Sequence, residues 1–298
     1  MSQEIINGAI LANGVRIPWL GFGLYDIPDG HQVEAAVSGA IAAGYRSFDS
    51  ATLYGNEQGV GRALRDSGIP RRELFVTSKA WNNEQGYEQT LAAVERSLDR
   101  LGLDYLDLYL LHWPVPGKYL SSWRALERLH QAKRIRAIGV SNFQRHHLRI
   151  LLAHAKVRPV LNQVEIHPNL PQEALRRFCT TEDVQLAAWS PLKHGKILNQ
   201  PALAQIGRKY GKTPAQVILR WLFQRGIVSV PKAATLAHAR ENAQIHDFHL
   251  THADFAAIAG LDTRERIGPD PDLVDYSSDN EFIRIFQGWK RELATAAV

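Results

Sequence analysis

The sequence predicts an α/β protein folded as a (β/α)8 TIM barrel. Three observations carry that expectation. Short apolar, β-branched runs alternate with Ala- and Leu-rich helical stretches until eight strand candidates have passed. Successive candidates lie roughly 30 residues apart, the size of one βα unit. No composition break and no Pro/Gly/Ser-rich linker divides the 298 residues, so one domain over residues 1–298 is expected. A doubly wound parallel sheet is the alternative that the same rhythm allows.

The elements follow in order. Ile5-Ile6 and Val15-Arg16-Ile17 flank Asn13-Gly14, a dipeptide of tight hairpin turns, and Pro18 ends this hairpin. Strand candidates then centre on Trp19-Leu20-Gly21, Tyr45 to Phe48, Leu74 to Val76 and Leu106 to Leu110. Four more centre on Ala137 to Val140, Val160 to Val164, Leu186 to Trp189 and Ile227 to Val230. Between them, the helical stretch from Val33 stops at Gly44 and the one from Gln89 stops at Gly102. Thr213-Pro214 opens another by N-cap and first-turn proline. Gly268-Pro269-Asp270-Pro271-Asp272 reads as loop, and Glu281 to Leu293 as a terminal amphipathic helix.

Composition excludes several function classes. Lys plus Arg number 35 against 30 Asp plus Glu, a formal charge of +5, and no long block of like charge concentrates it. The densest spots, Lys133-Arg134-Ile135-Arg136 and Arg264-Glu265-Arg266, are short. A nucleic-acid face would need a basic stripe with interleaved aromatics, so none is expected. The weak positive field suits anionic cofactors or substrates. The one cysteine, Cys179, cannot form an internal disulfide. No run of about 18 apolar residues predicts a membrane span. Met1-Ser2-Gln3-Glu4 lacks the basic-then-apolar pattern of a signal peptide, so a cytoplasmic protein is expected. No extra interface element is visible, and a monomer is expected.

Four familiar motifs fail. Gly21-Phe22-Gly23-Leu24-Tyr25-Asp26 has two glycines of a dinucleotide fingerprint and Asp26 in the third place. Gly211-Lys212-Thr213 lacks the leading glycine of a phosphate loop, since Ile206 stands there. His246, His249 and His252 recur by threes without a recognised metal-ligand pattern, so no metal is expected. No Gly-x-Ser-x-Gly elbow occurs.

In a barrel, chemistry sits at the C-terminal strand ends. Strand two ends in Asp49, with Tyr54 in the loop beyond. Strand three ends in Lys79 and then Trp81, and strand four in His112-Trp113-Pro114. Strand five ends in Ser141-Asn142, strand six in Gln163-Val164-Glu165, strand seven in Trp189-Ser190-Pro191, and strand eight in Pro231-Lys232. Four ionisable groups at one end of successive strands need a reason, because buried charge is costly unless paired. They suit proton transfer to a carbonyl oxygen. Asp49 holds the Lys79 ammonium charged, the ammonium lowers the Tyr54 phenol, and Tyr54 gives a proton while a hydride reaches carbon. His112 donates to the same oxygen. Such a site needs a nicotinamide hydride donor. Ser141, Asn142 and Gln163 can hold its carboxamide, and Trp189 can stack on its ring.

At these residues the sequence resembles the aldo-keto reductase family. Gly44-Tyr45-Arg46-Ser47-Phe48-Asp49-Ser50-Ala51, with Glu57 and Gly61, is similar to its first signature, and Ile138-Gly139-Val140-Ser141-Asn142-Phe143 to its second. The resemblance runs from the hairpin to roughly residue 262. Among its members, those of the bacterial diketogluconate-reductase type look nearest, on Leu20-Gly21-Phe22-Gly23 and the short loops. The resemblance implies a barrel binding NADPH or NADH across its mouth, and a catalytic tetrad of Asp49, Tyr54, Lys79 and His112. It implies cofactor contacts at Gly23, Leu24, Ser190, Leu192, Lys232, His238, Glu241 and Asn242, beside those above. It implies a carbonyl pocket walled by Tyr25, Trp81 and Trp113, with the loops after Pro114 and Gly268.

Two departures matter. The family's third signature carries Lys, then Ser or Thr, then an Arg that grips the adenosine 2′-phosphate. Here Lys232 is followed by Ala233, and His238 stands at the Arg position. A neutral imidazole lacks the guanidinium fork, so appreciable use of NADH is expected. Tyr25 stands where many members carry Trp or Phe, and its hydroxyl suits more polar carbonyls. Two other functions compete with reduction. One is a Schiff-base lyase using Lys79, which a paired, protonated lysine disfavours. The other is a cofactor-binding sensor or accessory protein with little turnover.

Overall fold

The structure is a computed structural model, and it describes residues 8–233 and 235–276. Two short strands open the chain, β1 (Gly8–Ile10) and β2 (Arg16–Pro18). They pair antiparallel, with Ala9 opposite Ile17. Eight parallel strands follow in chain order as neighbours: β3 (Phe22–Gly23), β4 (Ser47–Asp49), β5 (Phe75–Ala80), β6 (Leu106–Leu111), β7 (Ile135–Ser141), β8 (Leu161–Glu165), β9 (Gln185–Trp189) and β10 (Val228–Val230). The sheet closes on itself. Leu20 bridges Ser229, and the amides of Gly21 and Gly23 donate to Ser229 O and Pro231 O at 2.9 and 3.0 Å. The result is the barrel, not the doubly wound sheet.

Helices cover the outside: α1 (His31–Ala42), α2 (Glu57–Asp66), α3 (Tyr87–Leu101), α4 (Tyr119–Gln131), α5 (Arg145–His154), α6 (Glu173–Thr181), α7 (Pro201–Tyr210), α8 (Pro214–Gln224), α9 (Leu236–Asn242) and α10 (His252–Ala259). The sequence stops hold. The α3 helix ends at Gly102 in the left-handed region, and Thr213 caps α8 in a reciprocal box with Gln216. Most of the core lies between strands and helices, where fully buried Val37, Val94, Leu126 and Leu219 meet the sheet.

A second apolar cluster fills the barrel's other end. There Ala9, Leu11 and Ile17 of the hairpin pack with Phe75, Leu108, Leu110, Leu161 and Val228. Each fully buried Leu or Ile contributes about 1.5–3 kcal/mol, so the hairpin is a plug and not an ornament. With that end sealed, the open end is the C-terminal one, where the polar strand ends gather.

Two sequence expectations shift. The first barrel strand is centred on Phe22–Gly23, two residues after Trp19-Leu20-Gly21, because the ladder to β4 begins only at Phe22. The hairpin turn is a three-residue loop, not a two-residue one. Gly14 N donates to Leu11 O at 2.8 Å, Leu11 N to Val15 O at 2.9 Å, and within this turn only Gly14 has positive φ, at +81°. Ile5-Ile6 and the helix expected over 281–293 lie outside the described residues. Among the described residues, no helix is long and apolar enough to cross a membrane.

Candidate active site

The strand ends bring the four ionisable residues together. Asp49 closes β4, and the chain then turns through Thr52–Tyr54, so Tyr54 rises over the barrel mouth. Lys79 lies in β5, one strand across, and is wholly buried. Its ammonium donates to Asp49 Oδ1, to Ser50 O at 2.9 Å and to the Tyr54 hydroxyl at 3.4 Å. Gln163 Nε2 donates to the other Asp49 oxygen at 2.7 Å. The His112 ring follows β6 and stands edge-on to Tyr54 at 5.9 Å between centroids. Tyr25 meets Tyr54 from the other side at 5.2 Å.

Burial sets the electrostatics. It holds the Tyr54 phenol well above the ordinary value of 10, and the Asp49 carboxylate pushes the same way. The sequence expectation was the reverse, a phenol lowered by Lys79. That ammonium is already committed to Asp49 and Ser50, and desolvation of a phenolate outweighs what remains. Burial also lowers the Lys79 ammonium, with Asp49 opposing it. The His112 imidazole is held well below 6.5 by burial and then by Lys79, so it is neutral at pH 7.

These groups line one end of a cavity of about 540 Å³, within the range of ligand sites. Tyr25, Asp49, Tyr54, His112 and Trp113 form that end. Gly23, Asn142, Gln163, Trp189, Ser190 and Leu192 continue it, and Lys232, His238, Glu241 and Asn242 complete it. Lys79 supports the wall from behind. Leu24 and Ser141 do not line the cavity. Leu24 is wholly buried in the core, and the Ser141 hydroxyl donates to Gln163 O at 2.8 Å. Trp81 stands behind His112, its ring edge-on at 5.1 Å, and packs with Trp113, Leu53, Val274 and Tyr276. Among the described residues, neither the loop after Pro114 nor the loop after Gly268 supplies a residue to the cavity lining.

Polar groups along the wall are pre-set. Asn142 donates to His112 O at 2.9 Å and to Ser141 Oγ at 3.2 Å, and accepts from Trp189 Nε1 at 2.8 Å. The indole of Trp189 is thereby held as a flat side of the cavity. Gln163 spends its amide nitrogen on Asp49. Lys232 Nζ donates to Asp26 O at 2.8 Å and lies 3.8 Å from the Asp26 carboxylate. His238 is exposed on α9, and Glu241 accepts from the Thr213 hydroxyl at 2.6 Å. The sequence reading missed Leu53, His194 and Ala215, all on the cavity wall. The signal for His194 was its place in the loop after β9, beside Ser190 at 3.2 Å.

A family profile described as "Aldo/keto reductase family" matches residues 20–263. The glyoxal reductase of Bacillus subtilis is 52% identical over 262 residues, covering 88% of this chain and 95% of that protein. Methylglyoxal reductase DkgA of Salmonella typhimurium is 42% identical, covering 88% and 96%. A solved silkworm aldo-keto reductase complexed with NADPH superposes with a TM-score of 0.83 at 36% identity, covering 87% of this chain and 88% of that one.

Proposed function

We propose, for a chain that belongs to the aldo/keto reductase family and reduces carbonyls with NAD(P)H, that Tyr54 is the proton donor. Small α-oxoaldehydes such as glyoxal and methylglyoxal are the substrate class. The observation that carries the proton assignment is the chain Gln163 to Asp49 to Lys79 to Tyr54, hydrogen-bonded throughout and buried up to the half-buried Tyr54.

Bound NAD(P)H supplies the hydride. The residues present suit that group: a flat indole at Trp189, a carboxamide-sized polar edge at Gln163 and Asn142, and Lys232 and His238 at the far end of the cavity. Tyr54 keeps its proton at neutral pH and hands it to the carbonyl oxygen. Lys79 then carries the charge that stabilises the phenolate, and Asp49 keeps Lys79 oriented. His112 stays neutral. Its Nδ1 is buried without a partner among the described residues, which favours the tautomer with the proton on Nε2 as hydrogen-bond donor to the same oxygen. The names of two relatives, the Tyr25 hydroxyl and the modest cavity support small polar dicarbonyls.

For the cofactor, NADPH is the main donor and NADH is used appreciably. Ala233 offers no hydroxyl, His238 no fork, and Lys232 is shared with Asp26. The same reading takes the chain as one cytoplasmic, monomeric domain, and sedimentation of the purified protein checks the monomer. The test is methylglyoxal reduction followed by NADPH and NADH absorbance. Tyr54→Phe should lose about 10²–10⁴ in kcat while NADPH affinity by fluorescence holds. Undiminished turnover in Tyr54→Phe would contradict the proton assignment. A kcat/KM ratio of about a thousandfold or more for NADPH over NADH would contradict the cofactor reading.

A further inference from the structure

After α10 the chain runs back across the open end of the barrel, and a buried acid outside the proton chain grips it there. Glu165 is the last residue of β8, and its side chain is fully buried. Its Oε1 accepts the Ile267 amide at 2.7 Å, and its Oε2 the Gly268 amide at 3.0 Å. His167 Nε2 lies 2.9 Å from Oε1, and the buried His167 ring has no partner at Nδ1 among the described residues. Before this point, Thr263 N donates to Asn169 O at 3.2 Å and Lys193 pairs with Glu265 at 2.7 Å. Beyond it, Val274 and Tyr276 pack on Trp81 and Trp113.

The segment touches the cavity wall at Gly268. A Cβ built there would stand 2.4 Å from the Trp189 ring and 3.2 Å from Glu165 Oε2. Trp189 is also the register partner of Glu165 across β8 and β9. A carboxylate buried this fully carries a large desolvation cost, which only charge-assisted hydrogen bonds offset. Two of those bonds go to consecutive amides of this one segment.

We propose that Glu165 is a positioning residue that clasps residues 267–268, seats Gly268 against the Trp189 indole, and so fixes the wall shared by cofactor and substrate. The kinetic part of this inference rests on the reductase reading. The clasp itself does not. Because the proton chain is untouched, loss of the clasp weakens binding more than chemistry.

The test uses the full chain, with amide hydrogen exchange at 267–268 and steady-state kinetics side by side. Glu165→Gln keeps the shape but removes the charge. It should speed exchange at 267–268 about tenfold and raise KM for methylglyoxal about tenfold, with kcat within about threefold. Gly268→Ala keeps the carboxylate and both amides, and remains informative if Glu165→Gln does not fold. It should raise KM comparably, and that effect should vanish in a Trp189→Phe background, where the colliding ring edge is gone. Unchanged exchange in folded Glu165→Gln would overturn the clasp. Faster exchange with unchanged KM would overturn its role in the wall. Additive effects of Gly268→Ala and Trp189→Phe would overturn the path through the indole. A wild-type protein that turns over no carbonyl sinks the reductase reading instead, and exchange alone then decides the clasp.

Discussion

The Tyr54 ring sits edge-on to Tyr25 and to His112, with the Lys79 ammonium 5.0 Å from its centroid. Charge on its oxygen has little water to lean on. Burial raises the phenol, so the ligand-free protein should show no Tyr54 ionisation below pH 10. Phenolate absorbance in wild type minus Tyr54→Phe should stay flat from pH 7 to 10. A phenolate appearing near pH 8 would mean that Lys79 dominates after all. Side-chain identities and their strand-end places were legible in the sequence, which is why Asp49, Tyr54, Lys79 and His112 converge as expected. The sign of the Tyr54 shift was not, since it depends on how completely the mouth is desolvated. Nor was the partnership of Glu165 with residues about a hundred positions away. The acid reads as one more strand end until the returning chain is seen.

At the scale of elements, periodicity located all eight barrel strands, because each is a short apolar run punctuated by turn residues. It placed the first one two residues early, since Trp19 and Leu20 are as apolar as the strand that follows. The hairpin shows the same kind of limit. Asn13-Gly14 announces a turn, but whether two or three residues form it is decided by pairing of the flanks. The cap of α8 has a functional reach that spacing alone does not reveal. Thr213 accepts from Gln216 N at 3.3 Å and donates to Glu241 on α9 at 2.6 Å. Thr213→Ala should cost about 1 kcal/mol in urea unfolding and should also weaken NADPH binding, because Glu241 loses its tether. A destabilised variant with unaltered cofactor affinity would confine Thr213 to capping.

Across the whole molecule, one end of the barrel is sealed by the hairpin and the other is crossed by residues 262–276. Function and acid sensitivity meet on that second face. His147, on α5, has an imidazole pushed down to about 4 by burial and then by its neighbour His146. Between the ordinary 6.5 and about 4, the unfolded chain binds a proton that the folded protein refuses. Stability therefore falls as pH drops through that window. His147→Gln, which preserves a side chain able to accept from the Gln144 amide, should shrink the fall in Tm between pH 6.5 and 4. An unchanged fall would assign it to other groups. Hydride delivery at the open end is the claim on which everything else depends. The most direct test supplies NADPH bearing deuterium on the reactive ring carbon, with methylglyoxal, and reads the alcohol product by mass spectrometry. The expected product carries one deuterium on the former carbonyl carbon, formed at least about a hundredfold more slowly by Tyr54→Phe. An unlabelled alcohol, or labelled alcohol formed equally fast by Tyr54→Phe, would contradict it.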